Sequence, residues 1–213
     1  MTNGTGRAVL RGTVASVAGI LAMDLYFKAI KRLRERAAST RQKQGQAEHE
    51  EEERNERREA SQSGDEGQAG SPQGSGGEQE SALDDISLVG HPRREGEPST
   101  VAVGRILYER LRHAEPSRER GTQLGKLVHW GYGMAMGGVY GLLEPRVKER
   151  DLTAGLGYGA ALWLFGDELA VPLLGLAAGP TAHPPRVHVE AFGAHLVYGL
   201  TTSAATKALR HVM

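Results

Sequence analysis

Acidic and imidazole side chains in the second half of the chain have the chemistry needed to carry protons or to bind a metal. Asp167 and Glu168 are adjacent, and His129 lies in an earlier apolar segment. His188 and His195 are seven residues apart, which places both on one face of a helix. Such groups are costly inside a membrane unless they are paired, hydrated or neutralised. We therefore predict that they converge in a polar cavity.

The segment that holds the two acids also contains a proline. Each ionised carboxylate near its centre would cost on the order of 2.5 to 3.5 kcal/mol on membrane-insertion scales. Pro172 lies four residues after Glu168 and removes the usual helical donor to the Glu168 carbonyl. A kink with an exposed carbonyl is one way in which membrane proteins build polar cavities. The sequence thus predicts a kink beside the acids.

Three interpretations of the acids and histidines remain open. In the first, they pair across helices and have a purely structural role. In the second, they handle protons or a cation, because histidine titrates near neutrality and a buried acid can hold its proton to a similar pH. In the third, they belong to a metal-dependent membrane enzyme, but neither HExxH nor Glu-x-x-His spacing fixes a ligand set. We predict no resident metal or cofactor.

Composition excludes several other functions. The chain has no cysteine, so it can have no disulfide, thiolate metal ligand or cysteine nucleophile. Lys plus Arg and Asp plus Glu each number 26, and this zero net charge argues against a nucleic-acid partner. We find neither a phosphate-binding glycine loop nor a Ser/His/Asp order. No catalytic residue is therefore predicted.

Four apolar segments must position the candidate site. One lies within residues 1–30 and three lie within residues 123–209, and each is long enough to cross a bilayer at about 1.5 Å per residue. The mean hydropathy of -0.41 conceals them, because a polar stretch lowers the average. We therefore predict an all-α, integral membrane four-helix bundle with the lipid bilayer as its partner. A cleaved signal peptide is the alternative for the first segment, although Arg11 interrupts it.

The polar stretch between the first two spans covers residues 31–99. Its charges come in runs, and Gly, Ser, Gln and Glu dominate its second half. Such a composition offers no apolar face to bury, so we predict a long disordered loop between helices 1 and 2. A solvated helix that continues the first span over residues 31–58 is the alternative.

Residues 100–113 follow the loop and predict a short amphipathic helix. Its apolar face consists of Val103, Ile106, Leu107 and Leu111. A helix of this kind lies flat on a membrane surface. Packing against a soluble partner is the competing interpretation, because periodicity alone does not separate the two.

Glycines recur every four residues in two of the apolar segments and are typical of close helix contacts. They are Gly133, Gly137 and Gly141 in the second segment and Gly155 and Gly159 in the third. We expect these two segments to cross closely. Such stripes serve equally within one chain and between chains, so a homo-oligomer also remains open.

Several of these residues together resemble the YagU-like bacterial inner-membrane proteins. They are His129-Trp130, the glycine stripe, Tyr140-Gly141, Trp163, Asp167-Glu168, Pro172-Leu173-Leu174-Gly175-Leu176 and His195-Leu196-Val197-Tyr198-Gly199. The similarity covers roughly residues 125–209, and the long insert at 31–99 departs from the family pattern. The resemblance implies a multi-pass protein of the bacterial inner (plasma) membrane with a loose association with acid tolerance. It carries over no catalytic residue.

Overall fold

The computed structural model describes residues 2–60, 87–88, 90, 92–146, 153–179 and 181–212. Within these ranges the chain forms helices and turns and contains no strand. The all-α prediction is therefore confirmed.

The described part of the chain contains five helices, the fourth of which has three consecutive segments. The helices are α1 (Thr2–Ala60), α2 (Ser99–Arg112), α3 (Arg118–Leu143), α4 (Thr153–Leu162, Trp163–Ala170 and Val171–Leu173) and α5 (Pro185–Leu209). They fall into two compact units, of which the first comprises Met1–Phe27 and Glu80–Met213 and the second comprises Lys28–Gln79.

The second unit contains the charged part of α1, where the structure differs from the predicted loop. Between residues 31 and 60 the helix continues without a break. Glu, Lys, Arg, Gln and Ala dominate this stretch, and all are strong helix formers. Pairs four residues apart add support, such as Lys31 and Glu35, whose Nζ and Oε1 atoms are 4.0 Å apart. Residues 61–86 of the predicted loop lie outside the described residues.

The last residues of the predicted loop, from Ser87 onwards, belong to the first unit and make specific contacts. The Leu88 N–H donates to the Leu173 carbonyl at the end of α4, over 2.9 Å. Gly175 then turns the chain with φ at +63°, a conformation that other residues rarely adopt. A Cβ at this position would also collide with the Gly90 carbonyl oxygen. The end of the predicted loop is therefore packed against the end of α4.

Arg105 of α2 forms hydrogen bonds that hold the preceding segment against this helix. Its Nε atom is 2.9 Å from Glu97 Oε1, and its Nη2 atom is 2.7 Å from the Pro92 carbonyl oxygen. Its Nη1 atom is 3.1 Å from Glu109 Oε2. The side-chain hydrogen bond from Arg105 lowers the pKa of Glu97 below its ordinary value. In turn, the hydrogen bond to Glu97 raises the pKa of Arg105, so the guanidinium stays charged.

Helix α2 packs on the first turns of α3 through small residues. A Cβ on Gly104 would lie 2.7 Å from the Leu124 Cβ, and one on Gly125 would lie 3.2 Å from the Val101 Cα. Ala102, Gly104 and Arg105 are buried on this side. Of the predicted apolar face, Leu107 and Leu111 are exposed and Val103 and Ile106 are half-buried. The face of α2 that carries the small residues is therefore buried, and Leu107 and Leu111 are exposed.

Glycines also set the contacts between the longer helices. A Cβ on Gly137 in α3 would lie 2.6 Å from the Gly12 carbonyl oxygen in α1, and one on Gly141 would lie 3.2 Å from the Gly12 Cα. Gly133 lies on the same side and faces Ile20. The glycine stripe of α3 therefore contacts α1, and the expectation that it meets the stripe of α4 is wrong.

The second glycine stripe, in α4, packs against α5. A Cβ on Gly155 would lie 2.7 Å from the Gly199 carbonyl oxygen, and one on Gly159 would lie 3.2 Å from the Leu196 Cα. Helices α3 and α4 meet instead through a tyrosine, because the Tyr158 hydroxyl donates to the Met136 carbonyl over 2.6 Å. A stripe of small residues predicts that a helix packs closely against another, but it does not predict which helix is the partner.

The first unit has small and polar side chains inside and large apolar side chains outside. The buried set includes Ala8, Ala15, Ser16, Ala194, Thr202, Ser203 and Thr206, together with Ile20, Met23, Tyr140 and Tyr198. The exposed set includes Leu10, Leu21, Leu25, Phe27, Leu127, Leu164, Phe165, Leu169 and Val189. In water-soluble proteins large apolar side chains are the ones most often buried, so this distribution is inverted.

One helix among the described residues has the length and the apolar composition needed to cross a membrane. It is the part of α1 from Gly4 to Gln46, and 39% of its most apolar 18-residue window is buried. A typical span needs about 20 apolar residues, which this helix supplies near its N-terminal end. The chain therefore has one membrane-span candidate by this criterion.

Candidate functional site

The two acids of the candidate site lie in a π-helical segment, Trp163–Ala170. The Val171 N–H donates to the Gly166 carbonyl five residues earlier, in place of the usual four. Pro172 follows in the α-helical segment Val171–Leu173, and the expectation that it frees the Glu168 carbonyl stays a prediction. Segments of π-helix are rare and occur frequently at functional sites.

Asp167 faces His195 of α5. The Asp167 Oδ2 and His195 Nε2 atoms are 3.6 Å apart. The other ring nitrogen of His195, Nδ1, is 2.9 Å from the Ala191 carbonyl oxygen and must carry a proton to donate there. The Nε2 atom of the neutral ring is therefore an acceptor that faces an acceptor carboxylate. One added proton would convert this contact into a favourable pair.

His129 of α3 lines the same cavity as Asp167 and His195. Its Nε2 atom is 3.8 Å from Asp24 Oδ1 in α1. The cavity has a volume of about 180 Å³ and is lined from α1, α3, α4 and α5. Its polar lining consists of His129, Tyr132, Asp167, His195 and Tyr198. The rest of its lining is mainly apolar, and its volume leaves room for several water molecules beside the polar groups.

Glu168 and His188 form a separate pair. The His188 Nδ1 and Glu168 Oε1 atoms are 2.7 Å apart, which is a hydrogen bond between α4 and α5. Both side chains are largely buried, and neither lines the cavity that contains Asp167. The structure thus brings His129, Asp167 and His195 together but places Glu168 and His188 elsewhere.

Sequence reasoning did not assign to the candidate site two residues that line this cavity, Tyr132 and Tyr198, nor Asp24, which contacts His129. The signal for Asp24 was a charge within an apolar stretch. Tyr132 follows His129 by three residues and lines the cavity beside it. Tyr198 donates its hydroxyl hydrogen to the Gly133 carbonyl over 2.6 Å and thereby links α5 to α3. Neither tyrosine can be placed in the cavity before the helix partners are known.

In the described ranges no three His, Asp or Glu side chains come close enough to hold a metal ion. A zinc site normally takes at least three protein ligands. The acids and histidines of the chain meet in pairs instead.

A second buried ionic contact lies at the other end of α3. Glu144 is 1% exposed, and its two carboxylate oxygens face Arg11 Nη2 at 3.0 Å and Arg210 Nε at 2.6 Å. The carboxylate therefore joins the end of α3 to α1 and to the end of α5. Sequence analysis did not select Glu144, because nothing in the sequence pairs it with two distant arginines.

The class of this protein has to be described from its own fold and candidate site. No protein-family model, no curated protein and no solved structure matches it. The fold and the site define an all-helical protein with one candidate membrane span and a cavity in which an aspartate faces a histidine.

Proposed function

We propose that this chain is a multi-pass protein of the bacterial inner membrane, in which α3, α4, α5 and the first part of α1 form a four-span bundle. The observation that supports this is the inverted distribution of side chains, with Ala, Ser, Thr and Gly inside and Leu, Val and Phe outside. Membrane helices associate through small residues and polar contacts because lipid tails already solvate their apolar side chains. The proposal includes the YagU-like resemblance of residues 125–209.

The absence of cysteine makes this arrangement testable by single-cysteine labelling. Ser117 and Thr181 lie in the turns before α3 and before α5, whereas Thr5 and His211 lie at the opposite helix ends. An impermeant maleimide added to sealed vesicles should label one of these pairs and not the other. Recovery of the chain in the aqueous fraction after an alkaline wash, or equal labelling of all four sites, would contradict the proposal.

We further propose that the cavity takes up and releases protons, or binds a cation, in connection with acid tolerance. Asp167 and His195 supply the proton-binding pair, since their facing acceptor atoms leave room for one shared proton. The other titratable groups around the cavity are Asp24 from α1, His129 and Tyr132 from α3, and Tyr198 from α5. Every helix of the bundle therefore contributes at least one group that can hold or pass a proton.

Proton movement can be measured in proteoliposomes that enclose a pH-sensitive dye. After an external acid step, we expect wild-type protein to raise the rate of internal acidification above that of empty liposomes. Asp167→Asn should lower this rate at least tenfold, since the amide cannot take up the proton. Glu168→Gln is the comparison variant, because it changes the neighbouring acid outside the cavity and removes the bond to His188, so it reports any loss of flux that comes from weaker packing of α4 on α5. Equal rates for wild type and Asp167→Asn would refute the role of Asp167.

A structural role is favoured for the second pair. The 2.7 Å contact between Glu168 and His188 is short and mostly buried, as expected of an interhelical bond. Glu168→Gln should therefore weaken the association of α4 with α5 while the proton flux is retained. The pairwise geometry favours neither zinc nor iron binding, so we do not propose a metal-dependent enzyme.

A further inference from the structure

An apolar groove lies on the outer surface between α2 and α3, apart from the cavity described above. Its volume is about 580 Å³, and Leu107, Leu111, Leu124, Leu127 and Val128 supply its apolar lining. Leu111 is 78% exposed and Leu127 is 68% exposed. Side chains of this size at such exposure indicate that something apolar covers them.

Two arginines lie at the edge of the same groove. Arg112 ends α2, and Arg120 lies in the first turn of α3. Arg120 is held in place by Tyr108, since its Nη1 atom donates to the Tyr108 hydroxyl over 2.8 Å and its guanidinium lies 5.7 Å from the ring centroid. No acidic residue of the described chain lines the groove. The groove therefore combines an apolar floor with a cationic edge.

We propose that this groove binds a phospholipid with an anionic headgroup. One acyl chain would lie along Leu107, Leu111 and Leu127, and the phosphate would contact Arg112 and Arg120. Arginine recognises phosphate oxygens through two parallel hydrogen bonds, and basic pockets between membrane helices bind anionic headgroups. The proposal rests on the membrane part of the proposed function and is independent of proton handling.

Charge favours a lipid over a second copy of this chain. In a symmetric dimer the same patch would meet itself, so four arginines, Arg112 and Arg120 from each protomer, would enter one interface to which the groove contributes no acidic residue. Like charges in such an arrangement repel each other. A phosphate between two guanidinium groups is instead attracted by both.

Native mass spectrometry of the full chain can count the lipids that it retains. The protein is first reconstituted in bilayers of phosphatidylcholine alone, which tests membrane insertion separately from lipid preference. It is then placed in nanodiscs with equal amounts of phosphatidylcholine and phosphatidylglycerol and released into the gas phase. We expect one phosphatidylglycerol to be retained in preference to phosphatidylcholine.

Two matched variants identify the site. Arg112→Gln and Arg120→Gln should each lower the phosphatidylglycerol preference about fivefold, which corresponds to about 1 kcal/mol per charge near a membrane surface. Arg110→Gln is the control, because Arg110 is exposed on the same helix but does not line the groove. Leu111→Gln should shorten lipid retention while leaving the arginines intact.

Several results would overturn the proposal. One is a wild-type protein that retains both lipids equally, and another is an Arg110→Gln variant that loses as much preference as Arg112→Gln. Displacement of the lipid by inorganic phosphate alone would show a headgroup site without acyl-chain recognition. A dimer that Leu111→Gln converts to monomer, with the lipid count unchanged, would assign the groove to a second copy.

Discussion

Replacing Gly159 with alanine tests whether α4 and α5 are held together by direct backbone contact. The added Cβ would lie 2.8 Å from the His195 carbonyl carbon and 3.2 Å from the Leu196 Cα, and both are backbone atoms that cannot rotate away. Ordinary carbon contacts are about 3.5–4.0 Å, so the two helices must separate. Overpacking of this kind costs about 1–3 kcal/mol. Rigid backbone on both sides favours the upper end of that range.

Gly157→Ala is the control for the intrinsic effect of alanine. A Cβ on Gly157 would meet nothing within 4 Å. Both substitutions gain about 1 kcal/mol of helix propensity, which opposes the packing cost at Gly159. The difference in unfolding free energy between the two variants therefore isolates the packing cost, and we expect it to be about 3 kcal/mol.

The assay is a titration of detergent micelles with sodium dodecyl sulfate, followed by tryptophan fluorescence. Trp163 packs edge-on against Phe192 across the same helix pair, with ring centroids 4.9 Å apart. Its emission should therefore report the separation of α4 from α5. A Trp130→Phe background removes the second tryptophan of the chain.

A Gly159→Ala protein as stable as Gly157→Ala would refute the close approach of α4 and α5. A second matched pair tests the same reasoning between α1 and α3. A Cβ on Gly137 would lie 2.6 Å from the Gly12 carbonyl oxygen, whereas one on Gly131 would meet nothing within 4 Å. Gly137→Ala should therefore destabilise the protein relative to Gly131→Ala.

Two ionic contacts give further predictions. Glu144→Gln would leave Arg11 and Arg210 without their buried counter-charge, and we expect it to lower the unfolding free energy by about 3–5 kcal/mol in the same titration. Because Arg105 lowers the pKa of Glu97, the stabilisation by Glu97 is present above the ordinary carboxyl pKa of 4.5 and is lost as the pH falls through the lower folded-state value. The protection of the α2 amides against hydrogen exchange, corrected for the intrinsic exchange rate at each pH, should therefore fall below pH 4.5 in wild type, and this additional loss should be absent in Glu97→Gln. An unchanged pH response in that variant would contradict the role of Glu97.

The sequence predicts where most of the helices lie. It does not predict how far each helix extends or which helix packs against which. The sequence places an apolar segment where α3 lies, and the helix ends at Leu143 where the charged and proline-containing sequence Glu144-Pro145-Arg146 begins. A loop was expected over residues 31–58 because this stretch has no apolar face to bury, and the structure has the alternative, a solvated helix that continues α1. Local propensity and pairs such as Lys31 with Glu35 are sufficient there.

The candidate site was predicted as one cluster, and the structure separates it into two. The sequence shows that Asp167 and Glu168 must find partners, because both interrupt an apolar segment. It does not show a π-helical register, for which no residue pattern is available. It also does not show that α3 packs on α1, and this contact is what brings Asp24 next to His129. The pairing of groups therefore depends on helix partners that periodicity leaves undetermined.

The two acids reach histidines at different levels of α5. His188 and His195 are seven residues apart, so they are separated by about 10.5 Å along the helix. Adjacent residues of a helix point in different directions, which allows Glu168 to reach His188 and Asp167 to reach His195. We infer that the Glu168–His188 contact and the Asp167–His195 contact have different roles. The Glu168 contact holds α4 against α5 at one level, so the proton exchange that we propose for Asp167 at the other level would not release the helix pair.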